Sequence, residues 1–170
     1  MTRAAFPFLA PTDPVVPEGL LARARALPCP SVALVNAGAP TPLRGIREAA
    51  EAGLAEPVLI GDAPKIKAAA EQIGYDIGGL RIIHAPHAAA GEEAARLARA
   101  GEVQAIMKGQ VHTSTFLKAL LPSRAGLRDK NARCGHVFHI TMPGSERPLL
   151  LTDAALNVDP NVATRKALLS

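Results

Sequence analysis

Two rhythms of apolar residues alternate along the chain. Short apolar runs without polar alternation, such as Ser31–Val35 and Pro57–Gly61, are bounded by turn residues and predict buried strands. Leu80–His84 and Val103–Met107 predict two more. Between them, apolar positions recur every three or four residues, and start and stop signals frame the stretches as helices. Thr41 predicts a cap, with Pro42 at the first position of a helix that runs to Ala52 and stops at Gly53. Asp62 predicts the cap of a helix over Ala63–Ile73, ended by Gly74. A third helix is expected over Gly91–Ala100, closed by Gly101. A fourth starts near His112 to Ser114 and runs to Leu121, where Pro122 stops it.

The remaining segments are less regular. Six prolines in the first 30 residues predict an irregular arm, broken by one short amphipathic helix near Glu18 to Leu27. Beyond the central units, His136–Met142 and Leu149–Thr152 predict two strands joined by Pro143-Gly144-Ser145-Glu146. They form a hairpin or the start of a second sheet. A last helix is expected from Pro160 to Ser170. Repeated strand–helix units with short connections imply parallel pairing, and non-alternating strands imply helices on both faces. The expected fold class is α/β, a three-layer α/β/α arrangement with a mainly parallel sheet. Three regions follow: a proline-rich arm and short helix over 1–30, an α/β domain over 31–135, and the start of a second sheet or domain over 136–170.

Composition narrows the functional classes. The chain has 170 residues, 48% hydrophobic and 20% charged, enough for a buried core and against global disorder. No apolar run approaches the roughly 18 residues of a membrane span, and Met1–Pro17 makes a poor secretory signal. Cytoplasm is the expected compartment. Cys29 and Cys134 cannot supply a disulfide framework, and are expected to be buried or incidental thiols. Aromatic residues make up 3% and Trp is absent, which argues against a platform for stacking single-stranded bases. Residues 1–100 carry ten basic and ten acidic side chains. Lys118, Arg124, Arg128, Lys130 and Arg133, set against Asp129 alone, account for the excess of +4. That local field favours anionic ligands, for which a small phosphorylated molecule suffices without nucleic acid.

In an open parallel sheet, ligands gather at the carboxyl ends of strands. One connection there is rich in anion-binding chemistry. A strand delivers Lys108, Gly109 lets the backbone turn closely, and His112, Thr113 and Ser114 open a helix. Backbone N–H groups, hydroxyls and a lysine at a helix N-terminus suit phosphate. A plain cap explains the same residue types, and the neighbouring positive stretch tips the balance toward an anion. Thr152-Asp153 with Asn157 forms another polar cluster, read equally as a local turn cap or as a carboxylate and amide at the cleft lip. No Walker A sequence and no Gly-x-Gly-x-x-Gly occurs. His84 with His87, and His136 with His139, have spacings that point to opposite faces of a strand, so no metal is expected.

Several of these segments resemble one family. Glu48–Gly61 is similar to the early helix–strand unit of phosphate acetyltransferases and phosphate butyryltransferases, and Met107–Thr113 resembles a second motif. His136-Val137-Phe138 followed by Arg147–Asn157 resembles a third, and the similarity runs from about Leu20 to Ser170, leaning toward the butyryltransferase-like branch. The resemblance implies a fold related to isocitrate and isopropylmalate dehydrogenases, of which this chain is expected to lack the C-terminal half. It implies acyl transfer between coenzyme A and inorganic phosphate, with coenzyme A as substrate, no bound cofactor or metal, and a homo-oligomer without membrane or nucleic-acid partners. On this sequence it places Lys108, Gly109, Thr113, Ser114 and Asn157 at the phosphate or acyl phosphate. It places Arg128 and Arg133 at the coenzyme A phosphates, with Asp153 bordering the site; among the residues present, His112 is the best local base candidate and Asp153 the second. A catalytically incomplete anion- or coenzyme-A-binding fragment, and a dehydrogenase of the related fold, are the alternatives.

Overall fold

The computed structural model of the chain describes residues 17–128, 132–141, 147–152, 156–157 and 159–169. Four strands, β1 (Ser31–Val35), β2 (Glu56–Gly61), β3 (Arg81–His84) and β4 (Ala105–Lys108), form one parallel sheet in the order β3-β2-β1-β4. Helix α1 (Glu18–Arg25) precedes the sheet. The connections carry α2 (Pro40–Glu51), α3 (Ala63–Gln72) and α4 (Ala90–Arg99), and α5 (Thr113–Leu120) follows β4.

The strand order explains the layering. The chain steps outward from β1 to β2 to β3, then returns past β1 to place β4 on its other side. Right-handed crossovers therefore put α2 and α3 on one face and α4 on the opposite face. The core divides accordingly. Val32, Leu34 and Leu59 pack with Leu43 and Ile46 of α2 and Ile66 of α3. Ala33, Val35, Val58 and Ile60 pack with Ala90, Ala94 and Leu97 of α4, and Phe116 of α5 closes that side. Both faces of the two central strands are covered, as their non-alternating apolar runs require.

Local signals account for most boundaries. Asp62 caps α3, its Oδ1 accepting from the Lys65 N–H at 3.2 Å. Gly53, Gly74 and Gly101 follow α2, α3 and α4 with φ of 72°, 61° and 71°, where a side chain would be strained. Thr41 is not the cap of α2. The extended residue is Ala39, and Pro40 takes the first helical position, so Thr41 lies inside the first turn. A proline at either 40 or 42 satisfies the same preference, and the earlier one nucleates the helix.

A separate antiparallel pair, β5 (Val137–Ile140) and β6 (Leu149–Thr152), aligns Val137 with Thr152 and Ile140 with Leu149. The linking residues 142–146, and with them Pro143-Gly144-Ser145-Glu146, lie outside the described residues. Val137, Phe138, Leu149, Leu150 and Leu151 are exposed on this ribbon. A groove beside it is lined by Leu20 and Arg23 of α1 with His139 and Pro148. Helix α6 (Val162–Leu169) ends the described chain, and Asn161 caps it by accepting from the Thr164 N–H at 2.9 Å.

Candidate functional site

The strand order reverses between β1 and β4, and that switch is the point at which ligands bind in parallel sheets of this kind. The backbone there is held closely. Past the end of β4, the Gly109 N–H donates to Val35 O and the Gln110 N–H to Asn36 O, both at 2.9 Å. A β-carbon on Gly109 would meet the carbonyl oxygens of both Val35 and Asn36, so only glycine permits this approach. Asn36 is 6% exposed and adopts φ of 55°, a left-handed conformation that asparagine tolerates better than most residues. Its Nδ2 donates to His87 O at 3.1 Å, which ties the β1 connection to the one after β3. No conspicuous motif surrounds Asn36. Its position between an apolar run and Ala37-Gly38 is the signal that marks a turn there.

Beyond Gly109, the chain turns into α5. Lys108, His112, Thr113 and Ser114 are all exposed. The Lys108 ammonium donates to Val111 O at 3.0 Å, which folds it over its own turn and leaves two of its three donors for other partners. His112 occupies the N-cap position of α5 without a side-chain cap hydrogen bond, and no acid lies in the first turn. Helix α2 shares both absences, whereas α3 and α4 differ. Asp62 caps α3, while Glu92 and Glu93 occupy the first turn of α4. The positive end of α5 is therefore met by no carboxylate of its own first turn, and its leading N–H groups face outward for solvent or an anion.

The arginine loop lies elsewhere. A pocket of about 260 Å³ is lined by Leu121, Arg128, Arg133, Cys134, Leu156 and Asn157. Leu121 is the C-cap of α5, so this pocket sits near the end opposite Lys108 and His112, roughly 12 Å away for eight helical residues. The expected phosphate ligands thus separate: Lys108, Gly109, Thr113 and Ser114 stay together, while Asn157 joins the two arginines. Asn157 Nδ2 donates to Cys134 O at 3.1 Å. Arg128 is half-buried, donating through Nε to Leu121 O at 2.7 Å and through Nη1 to Ala132 O at 2.8 Å. It closes the C-terminal end of α5, where a cation opposes the helix dipole, and Arg133 remains the exposed guanidinium of the pocket. Asp153 lies outside the described residues.

Two further expectations change. Cys29 and Cys134 are exposed, which removes the buried alternative and leaves the incidental one. His84 and His87 line one cleft together, with Asn36, Asp62, Lys65 and Gln110. The alternation rule does not apply to them because His84 is the last residue of β3 and His87 lies in the following loop. Among the described residues, no three His, Cys, Asp or Glu side chains converge as metal ligands, and no helix is long and apolar enough to cross a membrane.

No family model matches the chain. It is 36% identical over 158 residues to a phosphate acetyltransferase of Rhizobium meliloti, covering 92% of this chain and 49% of that protein. It is 36% identical over 145 residues to a phosphate butyryltransferase of Clostridium beijerinckii, covering 84% of this chain and 47% of the relative. The fold is similar to that of a branched-chain phosphotransacylase from Enterococcus faecalis, with a TM-score of 0.62 and 24% identity over 82% of this chain and 48% of the other. It is also similar to the EutD phosphotransacetylase from Staphylococcus aureus, with a TM-score of 0.70 and 13% identity over 89% and 55%. The chain spans about half the length of the curated relatives it matches. By descent it is a relative of the phosphate acetyl- and butyryltransferases, corresponding to about half of one.

Proposed function

We infer that this chain carries phosphate and coenzyme A sites of a phosphate acyltransferase, which moves an acyl group between coenzyme A and inorganic phosphate. One observation supports the reading above others: the family relationship coincides with an exposed lysine and an uncapped helix start at the sheet's switch point. In the direction of acyl-CoA synthesis, a coenzyme A thiolate attacks the carbonyl of an acyl phosphate. A free thiol has a pKa of about 8.5, so the thiolate needs a base or positive charge. His112 is our candidate base, and Asp153 the second. Negative charge then grows on the carbonyl oxygen and departs with phosphate. Lys108, the hydroxyls of Thr113 and Ser114, and the leading N–H groups of α5 are suited to both.

Coenzyme A carries its phosphates far from its thiol. The separation of Arg133 and Asn157 from Lys108 along α5 suits such a molecule better than it suits one compact anion. In this reading Arg133 meets the coenzyme A phosphates directly, while Arg128 shapes the loop and Asn157 positions it. We assign the acetyl and butyryl esters equal standing, a cytoplasmic setting, and a homo-oligomer in which the exposed apolar residues of β5 and β6 are covered. The test is release of coenzyme A thiol from acetyl-CoA or butyryl-CoA on addition of phosphate. Phosphate-dependent release, abolished in Lys108→Ala, supports transfer; release that continues undiminished in that variant refutes the assignment. The half-length match favours a second reading, a binding module without turnover. It predicts phosphate binding with no thiol release.

A further inference from the structure

The groove between α1 and the β5–β6 ribbon lies outside the acyl-transfer reading. It encloses about 260 Å³, with Pro17, Leu20 and Arg23 on one side and His139, Thr141 and Pro148 on the other. The strand register decides which face of the ribbon opens onto it. Residues directly opposite share a face, and successive residues alternate. His139 pairs with Leu150 and Val137 with Thr152, so these four stand on the groove side. Phe138, Ile140, Leu149 and Leu151 stand on the other. Val137 is 61% exposed and Leu150 62%, so an apolar strip continues the groove along the ribbon. A two-stranded ribbon alone is marginally stable in water, and this one exposes apolar side chains on both faces. It gains from a cover on each.

The chain carries a segment suited to the groove side. Residues 1–16 lie immediately before Pro17, which is itself part of the groove lining. Nine of those 16 residues are apolar, among them Phe6, Phe8, Leu9, Val15 and Val16, and only Arg3 and Asp13 are charged. Segments that stay solvated have few aromatic and β-branched residues and a high net charge; this composition is the opposite. Pro7, Pro11 and Pro14 disfavour helix and ladder pairing, which leaves the apolar side chains to make the contact. The length also suffices. At roughly 3.1 Å per residue, the nine steps from Phe8 to Pro17 span about 28 Å, whereas the four residues of β5 measure about 13 Å. Charge agrees as well. Among the described residues the lining holds Arg23 and no carboxylate, and the segment supplies Asp13 four residues before Pro17.

We propose that residues 1–16 dock on this groove within the same chain, with the Phe6 and Phe8 rings against Leu150 and Val137. The opposite face of the ribbon, carrying Phe138, Leu149 and Leu151, is left for the oligomer contact. The inference requires neither acyl transfer nor a bound anion.

Nuclear Overhauser contacts in the full chain, with Leu and Val methyl groups labelled, provide the test. Ring protons of Phe6 and Phe8 are expected to contact the methyl groups of Leu150 and Val137. Combining Phe6→Ala with Phe8→Ala should abolish these contacts and shift the Leu150 and Val137 signals by more than a linewidth. Leu149, Leu151 and the fully buried Leu59 should keep their positions, the last identifying a folded variant. Absence of the ring contacts in the parent overturns the proposal. So do ring contacts to Leu149 and Leu151 instead, or unmoved Leu150 and Val137 signals in the variant. Contacts found only between labelled and unlabelled chains in a mixed sample assign the groove to a second copy, and overturn docking within one chain.

Discussion

Gly109→Ala tests the geometry that holds β4 to the β1 connection. A β-carbon there meets the Val35 carbonyl oxygen and lies 2.7 Å from the Asn36 oxygen. Neither obstacle is the end of a flexible side chain; both are backbone atoms of the central strand and its turn. The substitution must therefore push the β4 terminus away. Steric overpacking costs about 1–3 kcal/mol. The displacement also weakens two hydrogen bonds, Gly109 N–H to Val35 O and Gln110 N–H to Asn36 O, worth roughly 0.5–1.5 kcal/mol each. The sum is about 2–6 kcal/mol, a large part of a typical stability of about 5–15 kcal/mol. For a chain of this size it corresponds to a fall in Tm of about 4–24 °C. Urea denaturation of the variant beside Gly79→Ala supplies the comparison, because a β-carbon at Gly79 meets nothing within 4 Å. Gly79→Ala is expected to stay within about 0.5 kcal/mol of the parent. Equal midpoints for the two variants would refute the claim that the β4–β1 approach requires glycine.

Four other outcomes follow from the structure. Asn36→Ala loses the Nδ2 bond to His87 O while keeping φ of 55°, and is expected to cost about 2–4 kcal/mol; Asn36→Gly relieves the backbone and should cost less in the same denaturation assay, or the strain argument fails. A β-carbon on Gly91 would lie 2.7 Å from Ala119 Cβ, where α4 packs on α5, so Gly91→Ala should cost about 1–3 kcal/mol and Ala119→Gly should partly rescue it in a double-mutant cycle. Leu59, fully buried between β2 and the α2–α3 layer, should cost about 2–5 kcal/mol as Leu59→Ala. Acid should weaken the fold through Glu93 and Glu102. Hydrogen bonds from Arg96 and Arg81, respectively, hold their carboxyls below the usual glutamate range. Their contribution is complete above the unfolded glutamate pKa and is lost as pH falls through the lower folded values. Unfolding midpoints measured across that acid window should fall less steeply in Arg96→Ala; parallel curves would exclude the network.

Much of this architecture was legible before any coordinates, because it depends on short-range chemistry. The bounds of β1 and β6 follow from their apolar runs, and the caps at Asp62 and the glycines after α2, α3 and α4 follow from backbone preferences. The site was legible only in part. Lys108 and the opening of α5 stand where the sequence places them, yet the lysine bonds to Val111 O, a contact set by the shape of the turn. Asn157 and the arginines gather at the far end of α5, because that depends on where the chain returns after β6. The meeting of His84, His87 and Lys65 depends on β3 lying beside β2, a pairing that no local pattern encodes. Arg128 illustrates the same limit: its charge suggests a ligand, and its two carbonyl partners become visible only when the loop closes.

The central functional claim is that the turn after β4 binds phosphate through Lys108 and the start of α5. Calorimetric titration of the full chain with inorganic phosphate, beside Lys108→Ala, tests it most directly. Saturable binding in the parent, weakened about tenfold or more in the variant, is the predicted result. Identical isotherms for the two proteins would contradict the account.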